Sequence, residues 1–174
     1  SIYGTARTTM DVDMVSDLKL EHVRAFVQAL EADYYVDEPM IQDAIKRSGS
    51  FNLIHLGTMI KIDVFISRNA PYDIETFRRR RKDVLDEEQR SIEVYLVSPE
   101  DIVLNKLSWF LLGGGVSERQ WTDVLGVLKV QKTSLNRQYL QHWARELELE
   151  EILKKAFQDA GIGASETHLP LQKG

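Results

Sequence analysis

Apolar and polar residues alternate over several short stretches in the first half of the chain, a pattern typical of half-buried β-strands. The alternation predicts strands at residues 10–15, 34–36, 51–55, 59–66 and 91–97. Between them, apolar residues recur every three or four positions at residues 18–32 and 37–48, which predicts helices there. Asp73 can cap a further helix over residues 73–85. Residues 56–58 read as a hairpin turn between the third and fourth strands. This order of elements indicates an α/β fold of the α+β type, with helices packed on a mixed sheet.

From Ser98 onward the pattern is helical. Ser98-Pro99-Glu100-Asp101 is a strong helix start, and Gly113-Gly114-Gly115 ends that helix. Ser117 starts a second helix, Thr133 or Ser134 caps a third, and a last one runs from about Glu148 to Ala160. We therefore predict three regions, an α/β domain at residues 1–97, a C-terminal helical region at 98–163 and a tail at 164–174.

Composition narrows the class of protein. The 174 residues are 43% hydrophobic and 28% charged, which is ordinary for a globular domain. No apolar run reaches the roughly 18 residues of a membrane span, so we expect no membrane insertion. The absence of cysteine excludes disulfides and thiolate metal sites and is typical of a cytoplasmic protein. The net charge of −5 argues against a strongly basic nucleic-acid binder.

One dense basic run, Arg78-Arg79-Arg80-Arg81-Lys82, stands out against that acidic background. Within the predicted helix at 73–85 it is a solvated surface balanced by Asp83, Asp86 and nearby glutamates. The alternative is a platform for nucleotide or RNA phosphates, because the arginine fork matches phosphate oxygens. Both interpretations stay open at this point.

Asp11 and Asp13 alternate with apolar residues in the first predicted strand, so both carboxylates point to one face while Met10, Val12 and Met14 point to the other. Like charges held that close raise each other's pKa unless a cation lies between them. Carboxylate oxygens are the ligands that Mg²⁺ or Mn²⁺ prefers. The spacing therefore predicts a divalent metal site, the alternative being two surface acids on an edge strand.

Asp63 supplies a third carboxylate. It alternates with Ile62 and Val64 in the strand at 59–66 and shares its face with Lys61, which is a candidate salt-bridge partner. If the two strands are neighbours, the three aspartates converge. In a two-metal scheme for phosphoryl transfer, Asp11 and Asp13 would be shared ligands, and Asp63 would serve the metal nearest the attacking hydroxyl and could accept its proton.

The pattern Gly4-x-x-Arg7-x-Thr9-x-Asp11-x-Asp13, with the later Ile62-Asp63-x-Phe65, resembles the nucleotidyltransferase superfamily typified by DNA polymerase beta. The chain resembles more closely the small bacterial branch of this superfamily that includes the abortive-infection type IV toxins. Its Pro-Glu-Asp, Lys-Leu and Arg-x-x-x-Asp helices resemble Pro99-Glu100-Asp101, Lys106-Leu107 and Arg119 to Asp123, so the likeness spans residues 3–128. One departure is that the family's Gly-Gly or Gly-Ser pair before the first strand is absent from the printed chain.

The resemblance implies a nucleotidyltransferase fold that binds a nucleoside triphosphate with Mg²⁺ or Mn²⁺ and transfers a nucleoside monophosphate to an acceptor hydroxyl. The toxin branch suggests RNA, particularly the 3′ end of tRNA, as acceptor, with a protein side chain or a small molecule such as an aminoglycoside as alternatives. A toxin role also implies a cognate antitoxin. A fold that binds nucleotide or a partner without turnover, and a metal-dependent phosphodiesterase or nuclease, are the rival functions.

Four further residues are predicted to contact nucleotide. Arg7 and Thr8 lie in the turn entering the first strand, where they either touch phosphates or satisfy turn amides. Lys106 lies at the border of an apolar helical stripe, from which its ammonium can enter a cleft, and the resemblance implies phosphate binding there. Asp123 lies on the polar side of its helix, and only the resemblance implies that it contacts nucleotide. We expect Lys106 and Asp123 to pair across adjacent helices.

Overall fold

The computed structural model describes residues 11–87 and 90–163, apart from the side chains of residues 11, 85–87 and 90–93. Contacts divide these residues into two compact units, 11–78 and 79–163. Helices and a mixed sheet are both present, so the predicted α+β class is confirmed. The domain boundary predicted after residue 97 stays a prediction, and the two strands before it belong by their contacts to the second unit.

The first unit is built on a four-stranded sheet. In chain order its elements are β1 (Asp11–Ser16), a 3-10 turn (Leu20–His22), α1 (Val23–Leu30), β2 (Tyr34–Tyr35), α2 (Glu38–Arg47), β3 (Ser50–His55), β4 (Lys61–Ile66) and α3 (Pro71–Arg79), whose last residue is counted with the second unit. The strand order is β1-β4-β3-β2, with β1 parallel to β4 and the other pairs antiparallel. The predicted neighbourhood of the first and fourth strands is therefore confirmed.

One face of this sheet is covered by α1 and α2. The buried cluster consists of Val23, Ile41 and Ala44 from the helices and of Phe51, Leu53, Val64 and Ile66 from β3 and β4. α2 forms here because Asp37 accepts a 2.8 Å hydrogen bond from the Met40 amide at its start, and Pro39 lies in the first turn. Burying that face of the sheet leaves the opposite face for polar side chains.

The edge strand β1 contributes nothing to the buried cluster. Val12 and Met14, predicted on the face opposite the aspartates, are 46% and 50% exposed. They extend the apolar face of β4, since Val12 pairs with Ile62 and Met14 with Val64. The helices pack over β3 and β4, so this end of the apolar face stays accessible.

The helix predicted at residues 73–85 is wrong in its second half. α3 ends at Arg79, and β5 (Arg81–Glu87) follows almost at once and pairs antiparallel with β6 (Arg90–Leu96). The charged segment has no apolar stripe at helical spacing, and the β-branched strand that follows it offers a pairing partner. The basic run therefore spans a helix end and a strand start, and the predicted helical surface does not exist.

The second unit joins this hairpin to four helices, α4 (Pro99–Leu112), α5 (Glu118–Val130), α6 (Arg137–Glu146) and α7 (Glu150–Asp159). Each helix buries an inner stripe at three- or four-residue spacing. Its members are Val103, Leu104 and Leu107 on α4, Val124, Val127 and Leu128 on α5, Leu140 and Ala144 on α6, and Leu153 and Ala156 on α7. The helical C-terminal region predicted from residue 98 is present.

Of the three N-terminal caps predicted for α4, α5 and α6, the first two are confirmed. Ser98 and Ser117 each accept a hydrogen bond from the backbone three residues on, as predicted for α4 and α5. The third cap is Asn136, not Thr133 or Ser134, and it accepts a 3.0 Å bond from the Tyr139 amide. Ser134 instead donates back to the Gln131 carbonyl, which closes the preceding helix end.

Candidate active site

Asp13 and Asp63 are paired directly across β1 and β4. The two strands are parallel and in register, with Asp13 opposite Asp63. Paired residues on neighbouring strands point to the same face of a sheet, and the strands lie about 4.8 Å apart. Like charges directly opposite each other destabilise a sheet, so the pairing indicates a role beyond folding. This is the geometry predicted from the alternation of the two strands.

Asp63 already has a cationic neighbour. Lys61, two residues before it on β4, places Nζ 2.7 Å from Oδ1 and 3.0 Å from Oδ2 of the Asp63 carboxylate. The Lys61 side chain is 43% exposed and that of Asp63 is 26% exposed, so water screens the pair. The lysine offsets part of the repulsion between the two aspartates in the absence of another cation.

A third polar residue on the same face was missed from the sequence. Asn52 on β3 pairs with Asp63 from the other side, so Asp13, Asp63 and Asn52 form a row across three strands. Asn52 alternates with buried Phe51 and Leu53, and this alternation was the available signal. An amide oxygen next to two carboxylates is a donor set that suits Mg²⁺ or Mn²⁺.

The other members of the predicted site are described in part or not at all. Asp11 pairs with Lys61 along the ladder, two residues before Asp13, and its side chain lies outside the description. Arg7 and Thr8, predicted to contact phosphates, lie outside the described residues. Among the side chains that are described, no group of three or more His, Asp or Glu residues could hold a metal ion. That Asp11, Asp13 and Asp63 hold a metal ion therefore stays a prediction.

Lys106 and Asp123 are brought together in the second unit. Lys106 Nζ on α4 lies 3.5 Å from Asp123 Oδ2 on α5. The two side chains are 15% and 28% exposed, so the pair is less screened than one on the open surface. The predicted pairing across adjacent helices is confirmed, and the predicted contact with nucleotide stays a prediction.

A second polar cluster in this unit went unnoticed in the sequence. Glu100 and Asp101, at the start of α4, are 5% and 0% exposed. Glu100 accepts hydrogen bonds from the Asn136 amide at 2.7 Å and from Arg79 at 3.3 Å. Arg79 Cζ lies 3.6 Å from the centre of the Tyr139 ring, where cation–π attraction adds to the ion pair. From the sequence, Ser98-Pro99-Glu100-Asp101 was interpreted as a helix start and as a match to the family's Pro-Glu-Asp helix, and neither interpretation predicts this cluster.

Tyr139 closes the cluster by donating a 2.7 Å hydrogen bond to Asp101 Oδ1. Burial raises the pKa of the Tyr139 hydroxyl well above its ordinary value of 10.0, and the hydrogen bond to the Asp101 carboxylate raises it further. A phenol that holds its proton this firmly is a poor acid or base near neutral pH. The cluster therefore ties the start of α4 to α6 and Arg79 and has no evident part in chemistry.

Comparison of the chain with family models, with curated proteins and with solved structures finds no match. No helix within the described residues is long and apolar enough to cross a membrane.

Proposed function

We propose that this chain is a metal-dependent nucleotidyltransferase, which transfers a nucleoside monophosphate from a nucleoside triphosphate to an acceptor hydroxyl. The observation that carries the proposal is the in-register pairing of Asp13 with Asp63 on adjacent parallel strands, with Asp11 two residues earlier. Their face lies opposite the buried cluster, so the carboxylates are accessible to a ligand. Two carboxylates directly opposite each other cost stability, which the Lys61 ammonium offsets in part and a bound metal ion would offset further.

Asp11, Asp13 and Asp63 would hold Mg²⁺ or Mn²⁺, which neutralises phosphate charge and lowers the pKa of the attacking hydroxyl when bound. The acceptor oxygen attacks the α-phosphorus, the bond to the bridging oxygen breaks and pyrophosphate leaves. Asp63 accepts the proton of the hydroxyl. Arg7 and Thr8 would bind triphosphate oxygens. The resemblance assigns nucleotide-phosphate binding to Lys106 as well, and its ammonium lies 3.5 Å from Asp123 Oδ2.

The identity of the partners follows the resemblance to the abortive-infection type IV branch. It favours RNA, in particular the 3′ end of tRNA, as the acceptor, and a cognate antitoxin as a protein partner. A cytoplasmic location is part of the same proposal, since both partners are found there.

The test is incubation of the chain with each α-labelled ribonucleoside triphosphate, Mg²⁺ and total RNA or cell extract. Labelled acceptor and free pyrophosphate are the expected products. Asp11→Asn, Asp13→Asn and Asp63→Asn should each lower the rate by about a hundredfold or more, because a neutral amide neither holds the metal as well nor accepts the proton.

Asp43→Asn is the matched control for these variants. Asp43 lies on α2, which packs on the opposite face of the sheet, and pairs with Arg47 at the surface. Its loss costs no more than a few tenths of a kcal/mol and should leave the rate unchanged. Equal labelling by the wild type and all three site variants would refute transferase activity. Hydrolysis of RNA without pyrophosphate release would indicate a phosphodiesterase instead.

A second candidate function is binding of nucleotide or a partner without turnover, and the Lys61–Asp63 ion pair favours it. An ammonium 2.7 Å from Asp63 Oδ1 competes with any metal for that carboxylate. If the site serves catalysis, Lys61→Gln should strengthen Mn²⁺ binding by about three- to tenfold, which isothermal titration measures. Lys46→Gln, at an exposed position of α2, is the control. An absence of Mn²⁺ binding by both the wild type and Lys61→Gln would favour the non-catalytic function.

A further inference from the structure

Lys61 is adjacent in the strand ladder to two of the predicted metal ligands. Asp11 on β1 is its register partner, and Asp63 follows it by two residues on β4. Residues two apart on one strand share a face of the sheet, and so do residues paired across neighbouring strands. The alternation along β4 indicates only the first of these neighbours, and the register adds the second.

The Lys61 ammonium contacts both oxygens of the Asp63 carboxylate. Nζ lies 2.7 Å from Oδ1 and 3.0 Å from Oδ2, so each oxygen has a cation beside it. In the two-metal scheme, Asp63 would serve only the metal nearest the attacking hydroxyl. The position beside Asp63 therefore already contains a positive charge that the chain itself supplies.

The formal charges of these four residues agree with a single further cation. Asp11, Asp13 and Asp63 contribute three negative charges. Lys61 contributes one positive charge, so two negative charges remain, which one divalent ion neutralises. A second divalent ion would leave an excess of positive charge before any nucleotide arrives, and the ammonium would repel it at close range.

We infer that Lys61 takes the place of the second divalent ion, so that the site binds one Mg²⁺ or Mn²⁺ in the absence of nucleotide. The inference rests on the proposed metal site and deepens the proposed function by fixing how many ions that site holds. Because Lys61 belongs to β4, its positive charge is present at any concentration of free metal. Occupancy of the site should therefore follow the saturation curve of a single ion.

The number of bound ions tests the inference without nucleotide or acceptor. Mn²⁺ is titrated into the full chain, and electron paramagnetic resonance counts the ions that remain free. We expect about one ion bound per chain at saturation. Lys61→Arg keeps the positive charge and should also bind about one ion, which a purely steric role of the lysine does not require.

Lys61→Glu replaces the ammonium with a fourth carboxylate. We expect this variant to bind about two ions per chain, the first of them about tenfold or more tightly than in the wild type. Lys46→Glu makes the same charge change at an exposed position of α2, which packs on the opposite face of the sheet. This control should bind about one ion with an affinity within about twofold of the wild type.

Two bound ions in the wild type, or equal stoichiometry in the wild type and Lys61→Glu, would overturn the inference and leave the transferase proposal standing. An absence of Mn²⁺ binding by both would overturn it together with the metal site. One bound ion in a wild type that labels no acceptor would refute the transferase alone. Circular dichroism of each variant checks that a change in stoichiometry is not a loss of fold.

Discussion

At the scale of single residues, the best-supported feature is a fully buried carboxylate that is nevertheless satisfied. Asp101 is 0% exposed, and its two oxygens accept 2.7 Å hydrogen bonds from the hydroxyls of Tyr139 and Ser98. An unpaired charge at such a depth costs several kcal/mol, and these two donors, with the nearby Arg79 guanidinium, offset that cost. The hydrogen bond from Tyr139 to Asp101 links α6 to α4, and the two residues are 38 positions apart in the sequence.

Tyr139→Phe removes one of those donors and keeps the ring. We expect the free energy of unfolding to fall by about 1.5–3 kcal/mol, the range for a hydrogen bond to a charged group, as measured by urea denaturation. Tyr95→Phe is the control, because that side chain is 60% exposed and water replaces its contacts. Equal losses in the two variants would contradict the assignment of the energy to the Asp101 bond.

The same hydroxyl predicts a pH dependence. The pKa of Tyr139 is raised in the folded chain, so the unfolded chain loses that proton first as pH rises. Its contribution to stability is therefore complete below the ordinary tyrosine pKa of 10.0 and is lost progressively above it. Denaturation midpoints above pH 10 should fall more steeply for the wild type than for Tyr139→Phe. Parallel curves would mean that another group causes the alkaline loss.

At the scale of elements, local signals located most helix ends but not every change of structure. Ser98 and Ser117 were identifiable as caps because a hydroxyl followed three residues later by a free amide is a local arrangement. The strand at Arg81–Glu87 was not identifiable, because its pairing with β6 is not a local signal and its own residues are mostly charged. Cross-strand pairing therefore decided the structure of a segment that a local capping signal had assigned to a helix.

The end of α4 gives a matched pair of glycine variants. Gly114 has φ of +81° with nothing within 4 Å of an added Cβ, whereas Gly113, the C-cap, has φ of −83°. Gly114→Ala should cost about 1–2 kcal/mol from backbone conformation alone, and Gly113→Ala should be close to neutral. Chemical denaturation of both variants measures the difference. Equal stability of the two would mean that this turn adopts another conformation.

At the scale of the whole molecule, each of the two compact units has its own buried side chains, which is the usual basis for independent folding. Ile41 is 1% exposed in the first unit and Leu104 is 0% exposed in the second. All three tryptophans, Trp109, Trp121 and Trp143, lie in the second unit, so their fluorescence reports on that unit alone.

Core truncations should therefore separate the two units. Leu104→Ala and Ile41→Ala should each cost about 2–5 kcal/mol in the unit that contains the residue. We expect only Leu104→Ala to lower the fluorescence midpoint by the full amount, while both lower the midpoint followed by far-ultraviolet circular dichroism. If both variants shift both signals equally, the chain unfolds as one cooperative unit.

The amino-acid sequence alone determined three properties. They are the α+β class, the placement of Asp13 and Asp63 on the strand face opposite the apolar residues, and the position of Lys106 at the border of its apolar helical stripe. These properties depend on residues within a few positions of each other, where side-chain period and capping chemistry act. Only the tertiary structure decided that β1 and β4 pair in parallel with Asp13 opposite Asp63, that Asn52 joins their row, and that Lys82 pairs with Tyr95 across a hairpin. Register between distant strands is set by ladder hydrogen bonds and by the burial of one whole face, so no short stretch of the chain contains it.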